Sequence, residues 1–240
     1  MAIILFGNHA CKAALLAKKH KFSKIYLQNN KDTPDWLKGD LKKIIRIEIQ
    51  EFKKLLPKDA VHQGVAIEIS DDSKYYSDIT DLANSPKNCC IAILDGVTDP
   101  HNLGAVIRSA AAFGIKFIII QDRSSCKING TVAKAASGAL ENVSICIVKN
   151  IASAINSIKE YGFWVITLDE TGDKYINEID LRGKTCLIFG AEGTGTRRLQ
   201  KENSDFLAKL PTKERFSTLN ISNAATIAFY ETAKQNNFCL

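Results

Sequence analysis

The sequence predicts an α/β protein in two unequal parts: a small basic α/β unit, then a mostly parallel sheet with helices on both faces. Three observations carry this. From Cys89 onward, apolar strand-like runs alternate with helical runs along the rest of the 240-residue chain, the pattern of a buried parallel sheet. Three polar, turn-rich clusters each follow an apolar strand. Finally, residues 1–70 hold 13 Lys/Arg against 7 Asp/Glu, whereas residues 71–240 hold 19 of each.

The elements follow in order. Asn8 is placed to cap a helix through "HACKAALLAKK". "KIYL" (24–27), "IIRIEI" (44–49) and "VAIEI" (65–69) read as strands, and "DWLKGDLKK" (35–43) and "EFKKLL" (51–56) as helices. Residues 70–88 are polar, with Pro86 near their end, and read as a linker with at most one short helix. The domain division is therefore 1–70, a linker at 71–88, and 89–240. In the second part the expected strands are 89–95, 116–121, 143–148, 163–168, 184–190 and 205–211. The expected helices are 102–113 (stopping at Gly114), 130–140, 151–162 (ending at Gly162) and 219–235. No internal repeat or low-complexity tract interrupts the pattern.

Composition narrows the function classes. Hydrophobic residues make up 45% of the chain, enough for a core, but no apolar run reaches the ~18–20 residues of a membrane span. The start, "MAIILFGNHACKAALL", lacks a basic region and a cleavage site, so no secretory signal is expected. Seven Cys are scattered, without CxxC or zinc spacing. They read as reduced core thiols of a cytoplasmic protein, and no metal site is expected. The charge distribution fits a polyanion-binding module joined to a neutral one. A solvated lysine-rich surface would produce the same excess.

The three clusters are "LDGVTDPHNLGAVIRSA" (94–110), "LIFGAEGTGTRRL" (187–199) and "LPTKERFSTLNISNAATIAFYE" (210–231). Sites in open α/β sheets form beyond the carboxyl ends of strands. All three clusters lie there if the strands are as assigned. "GAEGTG" is not a dinucleotide fingerprint and lacks the GK[ST] ending of a phosphate loop. Glu192 within it would repel an anion but suits a cation or a ribose hydroxyl.

Together the clusters resemble the SpoU/TrmH family of RNA 2′-O-ribose methyltransferases, within the knotted SPOUT class. Asn102, Gly104 and Arg108 match its first motif and "FGAEGTG" its second. Leu210, Pro211, Leu219, Asn220 and Ser222 match its third. "ILFGNHACKAAL" and "AVHQGVAIEI" are similar to the L30e-like RNA-binding domain of one subgroup, which methylates a guanosine ribose in large-subunit ribosomal RNA. The resemblance implies a SPOUT α/β knot, a parallel sheet with a deep trefoil knot, behind an L30e-like domain. It also implies S-adenosyl-L-methionine as methyl donor, RNA as partner, and a homodimer. The chain departs from the family at Thr212, Lys213 and Glu214, where relatives read Met-x-Gly, and at Thr218, where Ser is usual. The alternatives are a transfer-RNA substrate, or a non-catalytic ribosome-assembly protein on a relic fold. Small transfer-RNA members lack the N-terminal domain, and the joint presence of Asn102, Arg108, Glu192 and Asn220 argues for an enzyme.

Roles follow from the resemblance. Arg108 is the catalytic arginine, either as general base or as a fork that clamps a phosphate and stabilises the developing alkoxide. Guanidinium has no free acceptor near neutrality, which favours the clamp. Asn102 either bonds the ribose and orients Arg108 or caps the helix. Glu192 pairs with Arg108 or binds substrate. Gly190, Leu210, Leu219, Asn220 and Thr167 line the donor site. Thr218, Arg197, Arg198 and His62, with Gln63, are expected to contact RNA. His101 is expected to bond within its loop rather than act as base, and Ser222 to cap the last helix.

Overall fold

The computed structural model describes residues 3–37, 44–70, 73–191, 195–213 and 219–238. Four strands, β1 (Ile3–Phe6), β2 (Phe22–Gln28), β3 (Ile44–Ile47) and β4 (Val65–Ile69), form the small unit in the order β1-β4-β2-β3. β4 is antiparallel to β1 and β2, and β2 is parallel to β3. Strand periodicity splits the side chains between two faces. Leu5, Ile25 and Ile67 pack with Ala10 and Ala14 of α1 (Asn8–Ala17). Phe6, Ile47 and Ala66 pack with Phe52 of α2 (Ile49–Leu55). Residues 3–6 carry no strand expectation from the sequence. They form β1 because β4, buried at every position but Glu68, needs a partner on that edge. The helix expected over 35–43 falls largely on residues 38–43, outside the described residues.

The six expected strands of the second part are β6 (Cys89–Leu94), β7 (Phe117–Gln121), β8 (Ser144–Val148), β9 (Trp164–Leu168), β11 (Lys184–Phe189) and β12 (Phe206–Lys209). Two-residue strands β5 (Tyr76–Ser77) and β10 (Lys174–Tyr175) extend the edges, giving β10-β12-β9-β11-β6-β7-β8-β5, parallel throughout. The helices are α3 (Pro100–Ala112), α4 (Gly130–Ala136), α5 (Ile151–Glu160), α6 (Arg198–Asn203) and α7 (Ile221–Asn236). Ile91 and Ile93 of β6 face α5, while Ala92 and Leu94 face the side covered by α3, α4 and α7. Both faces are thus apolar, which is why these strands read as continuous hydrophobic runs.

Helix limits follow local chemistry. Asp99 caps α3 by accepting from the His101 N–H, and Pro100 takes the first helical position, so α3 starts two residues before the expected 102. α4 stops at Ser137 (φ +53) and Gly138 (φ +92), short of the expected 140. α6 is a short helix with no apolar stripe to announce it. Gly104 lets α3 cross α4 closely: a Cβ there would sit 2.4 Å from the Ala135 Cβ.

The segment expected as a linker is anchored: Tyr75 and Leu82 are buried, and β5 joins the large sheet beside β8. Tyr75 donates to Glu141 Oε1 (3.0 Å), whose other oxygen meets His20 Nε2 (3.1 Å). Gln63 Oε1 accepts from Asn8 N (3.0 Å) and from Lys134 Nζ on α4 (2.8 Å). These bonds tie the small unit to the large one. The six described cysteines are free, and burial pushes the Cys11 and Cys90 thiols up to about 12. Among the described residues no helix is long and apolar enough to cross a membrane.

Strand order positions the site. β11 is inserted between β9 and β6, so loops nearly a hundred residues apart in the chain leave adjacent strands. After β12 the chain returns to α3, against which α7 packs; the Ser109 and Thr226 hydroxyls meet at 2.6 Å. Residues 214–218 of that return lie outside the described residues.

Candidate active site

The first and third clusters meet. Asn220 caps α7, its Oδ1 accepting from the N–H (2.8 Å) and hydroxyl (2.7 Å) of Ser222. Its amide then donates to Asn102 Oδ1 at 3.1 Å, across 118 residues of sequence. Of the two roles left open for Asn102, the cap falls to Asp99, and Asn102 Oδ1 accepts from the third cluster. Ser222 answers the cap rather than supplying it.

The first and second clusters also touch. A Cβ on Gly96 (φ +72) would meet the Ala191 Cβ at 2.8 Å. The second cluster folds back on itself: Gly195 N donates to Ala191 O at 2.9 Å. A Cβ on Gly190 would lie 2.3 Å from the Gly195 carbonyl, so glycine is required there by space. Glu192 and Thr218 lie outside the described residues. Leu210 is half-buried against the core and Leu219 is 39% exposed beside Asn220. Leu219 leaves an apolar surface open at the mouth of the converging loops.

Arg108 is placed differently from Asn102. Six helical residues separate them, or roughly 120° around the helix, and Arg108 stands on the exposed side of α3. Asn223, Ile227, Tyr230 and Lys234 form the exposed stripe of α7, with Tyr230 55% exposed and its ring edge-on to Phe113. The structure joins Asn102 to Asn220, whereas Arg108 stands on a different, exposed side of α3.

The remaining expected residues are committed elsewhere. Thr167 is fully buried inside β9, its hydroxyl 2.6 Å from that of Ser204, so its side chain faces packing rather than an open cleft. His62 stacks on Phe52 (centroids 4.4 Å apart), and its Nδ1 accepts from Gly64 N. Burial, and then the nearby Lys134 charge, hold His62 below its ordinary range. Arg198 pairs along α6 with Glu202 (2.6 Å) and is otherwise exposed. His101 uses its main-chain N–H to cap α3.

Arg197 reveals two residues that sequence reasoning missed. Its Nε lies 3.0 Å from Oδ2 of Asp95, a buried carboxylate that also accepts from Gln200 Nε2 at 2.6 Å. On the other flank, Asp169 Oδ2 accepts from Thr196 (2.6 Å) and Lys201 (2.8 Å), and its Oδ1 from Thr171. Burial acts to raise the Asp169 pKa, but the bonds from Lys201, Thr171 and Thr196 outweigh it and hold this carboxyl well below the usual range. The signal available in sequence was an Asp directly after the last apolar residue of each strand, Leu94-Asp95 and Leu168-Asp169.

Comparison with known proteins gives the arrangement relatives. Residues 90–230 match the model of the SpoU rRNA Methylase family, and residues 4–75 that for RNA 2′-O ribose methyltransferase substrate binding. The chain is 35% identical to the 23S rRNA (guanosine-2′-O-)-methyltransferase RlmB of Pseudomonas aeruginosa, covering 96% of each chain. It is 31% identical to RlmB of Escherichia coli K12, covering 99% of this chain and all of that one. The fold is shared with the SpoU methyltransferase AviRb of Streptomyces viridochromogenes, solved in complex with AdoMet. That match has a TM-score of 0.84 at 19% identity and covers 98% of this chain and 90% of AviRb.

Proposed function

This chain belongs to the SpoU rRNA methylase family, and from that premise we propose that it methylates the 2′-hydroxyl of a guanosine ribose in 23S ribosomal RNA, with S-adenosyl-L-methionine as donor. Similarity to RlmB proteins over nearly the whole length of both chains supports the substrate. The single structural observation that carries the reading is the Asn220–Asn102 bond, which closes the third motif onto the first.

The residues present fit the donor. Leu219 offers an apolar wall beside main-chain groups of the second and third loops, and Asp95 Oδ1, buried and unpartnered, is a hydrogen-bond acceptor at the root of the first. When bound, the donor supplies an activated sulfonium methyl. The chain's own residues bind, orient and exclude water. Gly190, Leu210, Leu219 and Asn220 hold the donor, and Asn102 bonds the ribose. Thr167, buried and paired on both sides within β9, supports the site from behind rather than touching the donor. Glu192 and Thr218, outside the described residues, keep their expected substrate roles in this reading, and Arg198 and His62 contact RNA, with Arg197 held by Asp95. Residues 1–70 act as the substrate-binding module and 89–240 as the transferase, joined through 71–88.

Arg108 acts from a second copy. Its exposed position, and the exposed stripe bearing Ile227 and Tyr230 on the adjoining α7, support this face as the contact between two protomers. Pairing would bring the guanidinium to the partner's Asn102–Asn220 site, where its fork clamps phosphate and stabilises the alkoxide. The protein works in the cytoplasm, where its ribosomal RNA substrate is made. The test is to delete the gene and map ribose methylations on ribosomal and transfer RNA. One lost 2′-O-methylguanosine in 23S RNA, restored by the purified protein and donor in vitro, is expected. Unchanged ribosomal RNA would overturn the reading.

A further inference from the structure

β9 and β6 flank β11 in the sheet, and each ends in an aspartate that turns toward the chain leaving β11. Asp95 is locked by its N–H to Phe189 O (2.9 Å) and Asp169 by its N–H to Ala208 O (2.8 Å). The two carboxylates then divide four donors between them. Thr196 and Lys201 go to Asp169, while Arg197 and Gln200 go to Asp95. Asp169 thus holds Thr196, just ahead of α6, and Lys201 within it, while Asp95 holds the helix N-cap Arg197 and Gln200. The start of α6 is held from both sides of β11.

The arrangement is poorly suited to stability alone. Asp95 is 1% exposed, and its Oδ1 has no partner among the described residues. A buried carboxylate oxygen without a donor is costly, and an apolar residue would pack there at less cost. Such groups persist where geometry is worth more than stability. Arg197, 60% exposed at its side chain, is held by its Nε to this carboxylate and is not a free phosphate contact.

We propose that Asp95 and Asp169 are positioning residues, a two-sided clamp that fixes Thr196 and Arg197, where the second cluster enters α6, for the methyl donor, with Asp95 Oδ1 kept open for a donor group delivered when the site is loaded. The inference rests on the functional reading above. Asp95 acts through Arg197 and Gln200, and Asp169 through Thr196 and Lys201, so neither needs to touch the reacting atoms.

The test is calorimetric titration of S-adenosyl-L-methionine into the full-length wild-type protein and the D95N, R197Q, T196V and D95N/R197Q variants, with a thermal midpoint for each. D95N keeps shape and one accepting oxygen, so its midpoint should stay within a few degrees of wild type. Its donor affinity should fall about tenfold, a shift of the size found for directly coupled groups. R197Q should lose a similar factor, and the double variant no more than the larger single loss, because both cut one connection. In methyl-transfer kinetics the KM for donor should rise while the KM for RNA holds. Wild-type donor affinity in D95N and T196V, or losses that simply add in the double variant, would overturn the clamp. If D95N does not fold, T196V and R197Q carry the same decision, because each removes a donor and leaves both carboxylates in place. A wild-type protein that binds no donor would instead overturn the functional reading.

Discussion

Replacing Gly104 by alanine sets two effects of opposite sign against each other. Gly104 lies inside α3, where alanine gains up to about 1 kcal/mol of helix propensity. The new Cβ, however, would stand 2.4 Å from the Ala135 Cβ, 2.7 Å from the Val132 carbonyl oxygen and 3.0 Å from the Ala136 amide nitrogen. Ordinary carbon contacts lie at about 3.5–4.0 Å, so α3 must withdraw from α4 by roughly 1 Å. None of the three neighbours has a rotamer to yield, which puts the cost at or above the upper end of the ~1–3 kcal/mol range for overpacking. The net expectation is a loss of about 2 kcal/mol, or roughly 4–8 °C in Tm for a chain of this size. Thermal and urea denaturation measure this directly. Asn102 sits two residues before Gly104, so donor affinity should fall as well. Gly162→Ala is the control: φ is +84 and nothing lies within 4 Å of the added carbon, leaving only backbone strain of about 1–2 kcal/mol and unchanged donor affinity. A G104A protein with an unchanged or raised Tm would refute the close-crossing argument.

Three further outcomes are expected. Arg108→Lys keeps the charge but loses the fork, and turnover should drop by about 100-fold or more with the fold intact by circular dichroism; near-normal turnover would remove the clamp role. Tyr230→Asp places a charge on the exposed stripe of α7, and sedimentation should show a monomer without methyl transfer; an active monomer would show that Arg108 serves its own protomer. Asp169 has a depressed native pKa, so its stabilisation is present above the unfolded value of about 4 and is lost as pH falls below it. Wild type should therefore lose more Tm than D169N between pH 5 and pH 3, and parallel Tm curves for the two would contradict the Asp169 interactions.

Period and punctuation made much of this architecture legible. The central strands of the large sheet, β6, β7 and β11, are buried on both faces and read as apolar runs, and Gly114 and Gly162 (φ +76 and +84) mark helix ends that only glycine takes easily. What escaped has local reasons. β1 is four residues long and gains its identity only from pairing with β4. β5 and β10 have two residues each, below any periodicity. α6 buries a glutamine, Gln200, so its inward face is polar and no hydrophobic stripe reports it. The site divides in the same way. Asn102 and Asn220 were singled out only through the resemblance of their motifs to the family's, and each stands at or near a helix start. Arg197 read as a free RNA-facing cation because its partner, Asp95, is distant in sequence; only the pairing of β11 with β6 brings them together.

That pairing explains why the site exists where it does. A sheet built outward in chain order would separate the loops after β6 and β11 by the width of β7, β8 and β9, roughly 5 Å for each strand crossed. Insertion of β11 beside β6 removes that distance, and the return from β12 to α7 brings the third loop back to the first. Both moves are long-range closures with little local reward, which slows folding. The compensation is rigidity at the point of use. Each loop is bounded by a parallel strand on one side and a capped helix on the other, and the Asn220–Asn102 bond joins two helix starts rather than two loop tips. A site so framed needs few charged groups of its own. Arg108 is left exposed on α3, while Asp95 and Asp169 are committed to side chains at the start of α6.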